Sequence, residues 1–357
     1  MSDAPAPGPP ETAPPPAWRR RAPVLVLALL AVSAPAAYLR RDFDRPLDPA
    51  RQGLLLVRVH PGKGVRQISG ELGAQGLLRY PLAFQLQARL RGGARGLRAG
   101  HYEFSPSMTP RAIYRALIEG RVAQRTVTIP EGYSLREIAE AAERAGLGPR
   151  EAFLEIARDP AVVARAEAGG GSLEGYLFPD TYRFPLGTPP RDILLAMAQN
   201  LNRKLGPGHR ERVERLGLSL HQVLTLASIV EKETPLASER PLVAAVFWNR
   251  LKKKMPLQSD PTVLYALPRL DRPLLRRDLG YGSPYNTYVR RGLPPGPIAS
   301  PGLASIEAAL HPADVDYLYF VATRTGGHAF SRTYQEHLAA IARHQARPKE
   351  TVDPTLP

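Results

Sequence analysis

Apolar positions along this chain fall into one continuous run, a few alternating stretches and many stripes of helical period. The continuous run is APVLVLALLAVSAPAAYL, residues 22–39. As a helix it reaches about 27 Å, enough for a bilayer core, and Pro35 near its end is tolerated in a membrane helix. It reads as a single transmembrane anchor. A cleaved signal peptide is the alternative, because Ala34-Pro35-Ala36 resembles a cleavage site. The long Pro- and Ala-rich stretch ahead of it favours the anchor. Residues 1–21 and the tail 348–357 are expected to be disordered, and 40–52 to form a linker. Arginines flank the run on both sides, at 19–21 and at Arg40, Arg41 and Arg45, so charge alone does not orient it.

Past the linker, the alternating LLLVRVHPG leads into a helical pattern. VHPGKGVRQISGELGAQGL at 59–77 aligns with IPEGYSLREIAEAAERAGL at 129–147 at a constant offset of 70 residues. Gly62 matches Gly132, Ile68 matches Ile138 and Gly76 matches Gly146. Each copy predicts strand, glycine turn, amphipathic helix and glycine stop. Between them, 81–90 reads as a helix, 98–104 as a strand, and 109–120 as a helix opened by Thr109 and Pro110. Strand–helix–helix–strand over 54–104 is the layout of a small LysM-like sugar-binding module. Downstream, 151–165 continues helical, Gly169–Gly171 break the chain, and helices are predicted at 189–205, 209–216 and 239–254. A long helix carries Glu231. Residues 255–302 read as loop, 316–322 as a strand and 331–345 as a closing helix. The whole predicts an α+β chain, with 53–127 as the LysM-like subdomain and 128–347 as a mixed α+β catalytic domain.

The run LASIVEKET, 226–234, sets a carboxylate among apolar side chains. At 100° per residue Leu220, Leu224 and Ala227 share a sector with Glu231. Apolar neighbours would favour a protonated carboxyl, which can serve as a general acid. A structural ion pair is the competing reading of a lone glutamate on such a face. Lys232 and Glu233 point elsewhere and read as surface or ion-pair residues.

Composition narrows the chemistry. The 357 residues carry 48 Lys and Arg against 33 Asp and Glu, a formal charge of +15, and no cysteine. The charge suits nucleic acid, an anionic membrane or an anionic wall polymer, and no nucleic-acid motif supports the first. Thiolate metal sites and cysteine nucleophiles are excluded. The eight histidines lack metal-ligand spacing, with His311 and His328 read as loop residues, so no metal or cofactor is expected. No GxSxG elbow is present, and Ser228 lies on a helix face. Tyr176, Tyr182, Tyr265, Tyr281, Tyr285 and Tyr288 cluster in turn-rich segments with Gln258, Asp260 and Asn286. Flat amphipathic rings beside directional hydrogen-bonding groups suit a sugar. Glycosidic cleavage follows as the best reaction class, and Glu174 or Asp260 are the candidates for a second carboxylate. A substrate with its own internal nucleophile would need only one acid, and pattern alone leaves both routes open.

LEGYLFPDTY, LASIVEKET, the SER of 238–240, the NRL of 249–251, LQSDPTVLY, SPYNTY, GLPPGPIASPG, HPADVDYLYFVA and GHAFSRTYQEH together resemble the YceG-like family of endolytic murein transglycosylases. They span most of 172–337 in the family's order. Departures are Leu338 and Ser300, each where the family often has Asn. The resemblance implies cleavage of the MurNAc–GlcNAc bond in nascent glycan strands, with 1,6-anhydro-MurNAc ends. It implies Glu231 as the catalytic acid and Glu174, Gln258, Tyr285 and Asn286 as substrate-binding residues. It also implies an N-terminus in the cytoplasm with the catalytic domain outside the inner membrane, and peptidoglycan strands and wall synthases as partners. A hydrolytic muramidase and a non-catalytic wall-binding scaffold are the rival readings.

Overall fold

The computed structural model describes residues 40–345, save 93–95, 269 and 271, together with residues 33, 37 and 38. The run 22–39 and both chain ends lie almost wholly outside the described residues. Among the described residues no helix is long and apolar enough to cross a membrane. The chain is a mixed α+β protein that divides into two compact units, 1–123 and 124–357.

The first unit opens with β1 (Leu55–Val59), α1 (Val65–Ala74), α2 (Pro81–Leu90) and β2 (Gly100–Phe104), followed by α3 (Pro110–Glu119). β1 and β2 pair antiparallel, Leu55 opposite Phe104 and Val59 opposite Gly100. Their inward residues Val57, Val59, Tyr102 and Phe104 pack on Leu72, Phe84, Ile113 and Leu117 from the helices, with Phe43 completing the core. The Thr109 hydroxyl caps α3 by accepting from the Ala112 amide at 3.1 Å, and Gly120 ends it in the left-handed region.

The second unit repeats the opening device of the first. β3 (Gln124–Thr128) leads through Gly132 into α4 (Leu135–Arg144). Gly62 and Gly132 turn the chain at φ +82° and +77°, and Gly76 and Gly146 close the helices at +70° and +72°. The Leu77 amide reaches the Leu72 carbonyl and the Leu147 amide the Ala142 carbonyl. Such closures need a residue tolerant of positive φ, which glycine supplies. The 70-residue offset is therefore a repeat of backbone conformation as well as of letters.

After α4 come α5 (Arg150–Ile156) and α6 (Pro160–Arg165), two short helices in place of the continuous one expected over 151–165; Asp159-Pro160 breaks the run and caps the second. β4 (Thr181–Pro185) pairs antiparallel with β3. Then follow α7 (Pro190–Lys204), α8 (Pro207–Arg215), α9 (Leu220–Glu233), α10 (Arg240–Lys252), α11 (Asp260–Ala266), a 3-10 turn (Arg276–Gly280), α12 (Leu303–Leu310), β5 (Tyr319–Ala322), β6 (His328–Ser331) and α13 (Tyr334–Gln345). One core lies under α4–α7 and the β3–β4 pair. The other gathers around α9, which packs against α10 and α12.

Three sequence expectations change here. The 255–302 region holds α11, which starts at the Ser259-Asp260-Pro261 signal. His328 opens strand β6, paired to β5, and is not a loop residue. Glu233 is not a surface residue: α9 is buried on every side from Val223 to Val230, so the flank opposite Glu231 faces other protein.

Candidate active site

The capping box of Ser219 and Gln222 starts α9, and its interior carries Glu231 to the point where the helix ends. Three segments meet there: the turn 130–134, the start of α10, and the loop that enters α12. The Gly132 amide donates to the Ser300 carbonyl and the Ser300 amide to the Tyr133 carbonyl, both at 2.8 Å. The Lys232 ammonium donates to the Gly132 carbonyl at 3.2 Å. The Ile298 amide donates to Ser228 Oγ at 3.0 Å, which fixes the same loop to the middle of α9.

Glu231 sits at this junction with 6 % of its side chain exposed. Oε1 accepts from Arg240 Nη2 at 2.9 Å and Oε2 from the Gly302 amide at 2.9 Å. The apolar surroundings expected from the helical face describe its neighbours along α9 but not the carboxylate, which finds a guanidinium and an amide. Arg240 also reaches Glu131 Oε2 at 3.5 Å, and its Nε is buried without a hydrogen-bond partner among the described residues. Glu131 is exposed and leans over Gly302, where a Cβ would fall 1.9 Å from its Oε1. Arg240 closes the SER of 238–240 and Glu131 lies in the repeat at 129–147, but neither is marked there as a partner of Glu231, since nothing in the periodicity says that α10 folds back onto the end of α9.

Glu174 lies in the LEGY turn, 7 % exposed. It accepts from the Leu135 amide at 2.8 Å and from the Tyr265 hydroxyl at 3.1 Å. Burial pushes its carboxyl up to about 7 in spite of both donors. Tyr265 and Tyr285 contact each other with ring centroids 4.9 Å apart, so Glu174, Tyr265 and Tyr285 form one cluster. Gln258 is exposed and held at φ +52°, with its amide on the Thr287 carbonyl. A positive φ in a residue other than glycine is strain that the surroundings must maintain. Asn286 is fully buried: its Nδ2 donates to the Leu279 and Tyr281 carbonyls and its Oδ1 accepts from the Tyr288 amide. Its side chain thus knits the loop that presents Tyr285.

The remaining candidates are dispersed. Asp260 is exposed at the start of α11 and accepts from the Tyr288 hydroxyl. Tyr182 belongs to β4, donates to the Phe178 carbonyl at 2.6 Å and packs, partly buried, against the first of the two cores. Tyr176 is buried and bonded to His221 Nδ1 at 2.9 Å, while His221 Nε2 meets the Pro295 carbonyl at 2.8 Å. Among the described residues no group of His, Asp and Glu could hold a metal ion.

The YceG-like family model matches residues 57–343. The chain belongs to the YceG-like family. A relative from Bacillus subtilis (strain 168), named endolytic murein transglycosylase, is 35 % identical over 308 residues, covering 82 % of this chain and 85 % of that one. One of the same name from Streptococcus pneumoniae serotype 2 is 32 % identical over 354 residues, covering 90 % of this chain and 64 % of that one. A crystal structure of a putative YceG-like protein from Listeria monocytogenes is 36 % identical with a TM-score of 0.56, covering 80 % of this chain and 99 % of that one.

Two further properties of this YceG-like site are testable. Gly175 has φ +78°, and a Cβ there would lie 2.3 Å from Pro297 Cβ and 3.3 Å from the Ala299 carbonyl oxygen. Gly175→Ala therefore forces the LEGY turn away from the loop that enters α12. It should destabilise the protein by roughly 2–4 kcal/mol, combining backbone strain and overpacking, as read by denaturant unfolding. A loss below about 1 kcal/mol would mean the loop is not seated on the turn.

Glu233 accepts from the Ser259 hydroxyl, and burial pushes its carboxyl up to about 7, with Asp260 adding to the rise and His328 and Arg250 opposing it. Its ordinary value is 4.5, so between pH 4.5 and about 7 the folded protein holds a proton that the unfolded chain releases. This contribution to stability is complete below 4.5 and is lost as pH rises through about 7. Relative to the native chain, Glu233→Gln should gain up to roughly 3 kcal/mol across that window. Melting curves of both proteins from pH 4 to 8 check the sign; a native advantage that grows with pH would contradict it.

Proposed function

We propose that the chain is an endolytic murein transglycosylase, and that Glu231 is its acid and then its base. The observation that carries this is the Glu231 carboxylate fixed between Arg240 and the Gly302 amide, where three family segments converge. In the proposed step, the Glu231 carboxyl gives its proton to the glycosidic oxygen as the bond from MurNAc C1 breaks. The carboxylate left behind takes the proton of the MurNAc C6 hydroxyl as that oxygen closes on C1. The leaving sugar is released with a free hydroxyl, the other end is a 1,6-anhydro ring, and Glu231 ends protonated as it began. Arg240 and the Gly302 amide both donate to the charged form, so they stabilise the carboxylate at the moment it has lost its proton. The Glu174–Tyr265–Tyr285 cluster and the exposed Gln258 supply ring faces and polar groups for the sugar rings.

The other parts of the proposal concern placement. Residues 22–39 anchor the chain in the inner membrane with residues 1–21 in the cytoplasm and the catalytic domain outside. The strand–helix–helix–strand unit serves as a LysM-like subdomain within 53–127, followed by the catalytic domain over 128–347. Glycan strands are the substrate, and a wall synthase supplies them.

A second reading has its own observation. Glu174 is a carboxyl pushed up to about 7 beside tyrosines, as a proton-holding group of a two-carboxylate muramidase would be. Uncrosslinked glycan strands incubated with the full chain test the endolytic claim. Mean strand length should fall early without accumulation of disaccharide, whereas disaccharide released from the outset would reject internal cleavage. Glu174→Gln should raise KM while leaving the nature of the new ends unchanged; a change in the ends would favour the two-carboxylate reading.

A further inference from the structure

One face of α2 in the first unit is apolar and uncovered. Leu82, Leu86 and Leu90 recur at four-residue spacing, which sets them within an arc of about 80°. They are 77 %, 45 % and 72 % exposed. The opposite face carries Phe84 and Ala88, buried in the core of the unit. A helix packed on a soluble module normally turns polar residues outward; α2 turns leucines outward. Exposed Arg89 borders the stripe near its end and exposed Arg79 precedes the helix, while the Arg91 guanidinium lies over the Phe43 ring at 4.6 Å on the other side.

A second observation says what covers this face. The backbone leaving the apolar run 22–39 is tied to α2. Tyr38, near the end of that run, lies with its ring 6.2 Å from that of Tyr80, and the two hydroxyls are 3.3 Å apart. Tyr80 is the residue that begins α2. Residues 40–43 are helical, and Phe43 then packs 6.0 Å from Phe84 of α2. Wherever the run 22–39 ends, the start of α2 is beside it. Given the anchor proposed above, on which this inference rests, that place is the outer membrane–water boundary, where tyrosine is favoured.

We propose that α2 lies in the membrane interface, its leucine stripe embedded at the acyl boundary of anionic phospholipid and its arginines on the headgroup phosphates. An apolar helical face flanked by cations is the chemistry of an interfacial helix. A glycan strand is a poor occupant, since three leucines offer it no hydrogen bond. The contact gives the first unit a second attachment beside the anchor.

The absence of cysteine makes the test direct. Full chains carrying Leu86→Cys or Leu56→Cys are labelled with an environment-sensitive fluorophore and reconstituted in nanodiscs of phosphatidylglycerol and phosphatidylcholine, with and without brominated acyl chains. Leu56 is a fitting control because it is 53 % exposed on β1 and points away from the core that the helices cover. The label at position 86 should blue-shift and lose fluorescence to bromolipid, and the label at 56 should not. Pure phosphatidylcholine, or Arg79 and Arg89 together replaced by Ser, should reduce the quenching; no change would overturn the anionic part. A chain that co-elutes with the discs but is unquenched at 86 overturns the placement of α2 while leaving the anchor standing. A blue shift that bromination does not affect overturns it in favour of a protein partner. A chain that fails to co-elute rejects the anchor, and this placement with it.

Discussion

Glu231→Gln should abolish glycan cleavage while leaving the fold intact. Glutamine matches glutamate in shape, so its carbonyl oxygen can still accept from Arg240 Nη2 or from the Gly302 amide, the two donors 2.9 Å from the native carboxylate. It cannot deliver a proton to the glycosidic oxygen or remove one from the C6 hydroxyl. General acid–base catalysis is worth about 10²–10⁴-fold, and here one group performs both transfers. The expected loss is therefore at least about a thousand-fold in kcat. Unfolding should confirm that the loss is chemical, with a change of no more than about 2 kcal/mol from losing the charged pair. Activity within about tenfold of the native chain would remove Glu231 from the chemistry.

Arg240→Ala should have the largest effect on stability. Arg240 and Glu231 retain only 9 % and 6 % of their side-chain exposure. Removing the arginine leaves a buried carboxylate with the Gly302 amide as its one remaining donor from outside α9 among the described residues. Breaking a buried pair by deleting one partner costs about 3–5 kcal/mol, which in a domain of this size lowers Tm by roughly 10 °C. The double substitution Arg240→Ala, Glu231→Gln should recover much of that loss, because no charge is then stranded. If the double variant is as unstable as the sum of the singles, Arg240 acts through packing and not through the pair. Arg240→Lys should fall between, since an ammonium keeps the charge but not the reach of Nη2, which contacts both Glu231 and Glu131.

Periodicity and glycine placement made much of the fold legible. The helix at 81–90, the Thr109-Pro110 helix start and the repeat at offset 70 all rest on local signals: a stripe, a cap, a glycine that must adopt positive φ. The β6 strand and the α11 helix were less visible because they are short and embedded in Pro- and Gly-rich sequence, where local signals compete.

Within the site, the sequence picked Glu231 by its helical sector, yet the same projection misplaced Glu233. The projection assumes that a helix has one buried side, while Val223–Val230 are buried all round. The far side of a central helix is another interior, which VLTLASIV already hints at by carrying no charge and only the small polar residues Thr225 and Ser228. Arg240 and Gly302 lie in the SER and GLPPGPIASPG motifs, yet their role beside Glu231, like that of Glu131, was illegible for a different reason. Their meeting with Glu231 is made by tertiary folding of segments far apart in the chain, and no local pattern encodes it. Asn286 shows the converse: a residue type suited to a sugar contact is spent on its own loop's carbonyls.

The central claim is that the substrate's own hydroxyl, and not water, completes the reaction. The most direct test is mass spectrometry of the new glycan ends formed by the full chain in ¹⁸O-labelled water. The account predicts MurNAc ends lighter than a reducing end by one water and free of ¹⁸O. Reducing MurNAc ends that carry ¹⁸O would contradict it and establish hydrolysis.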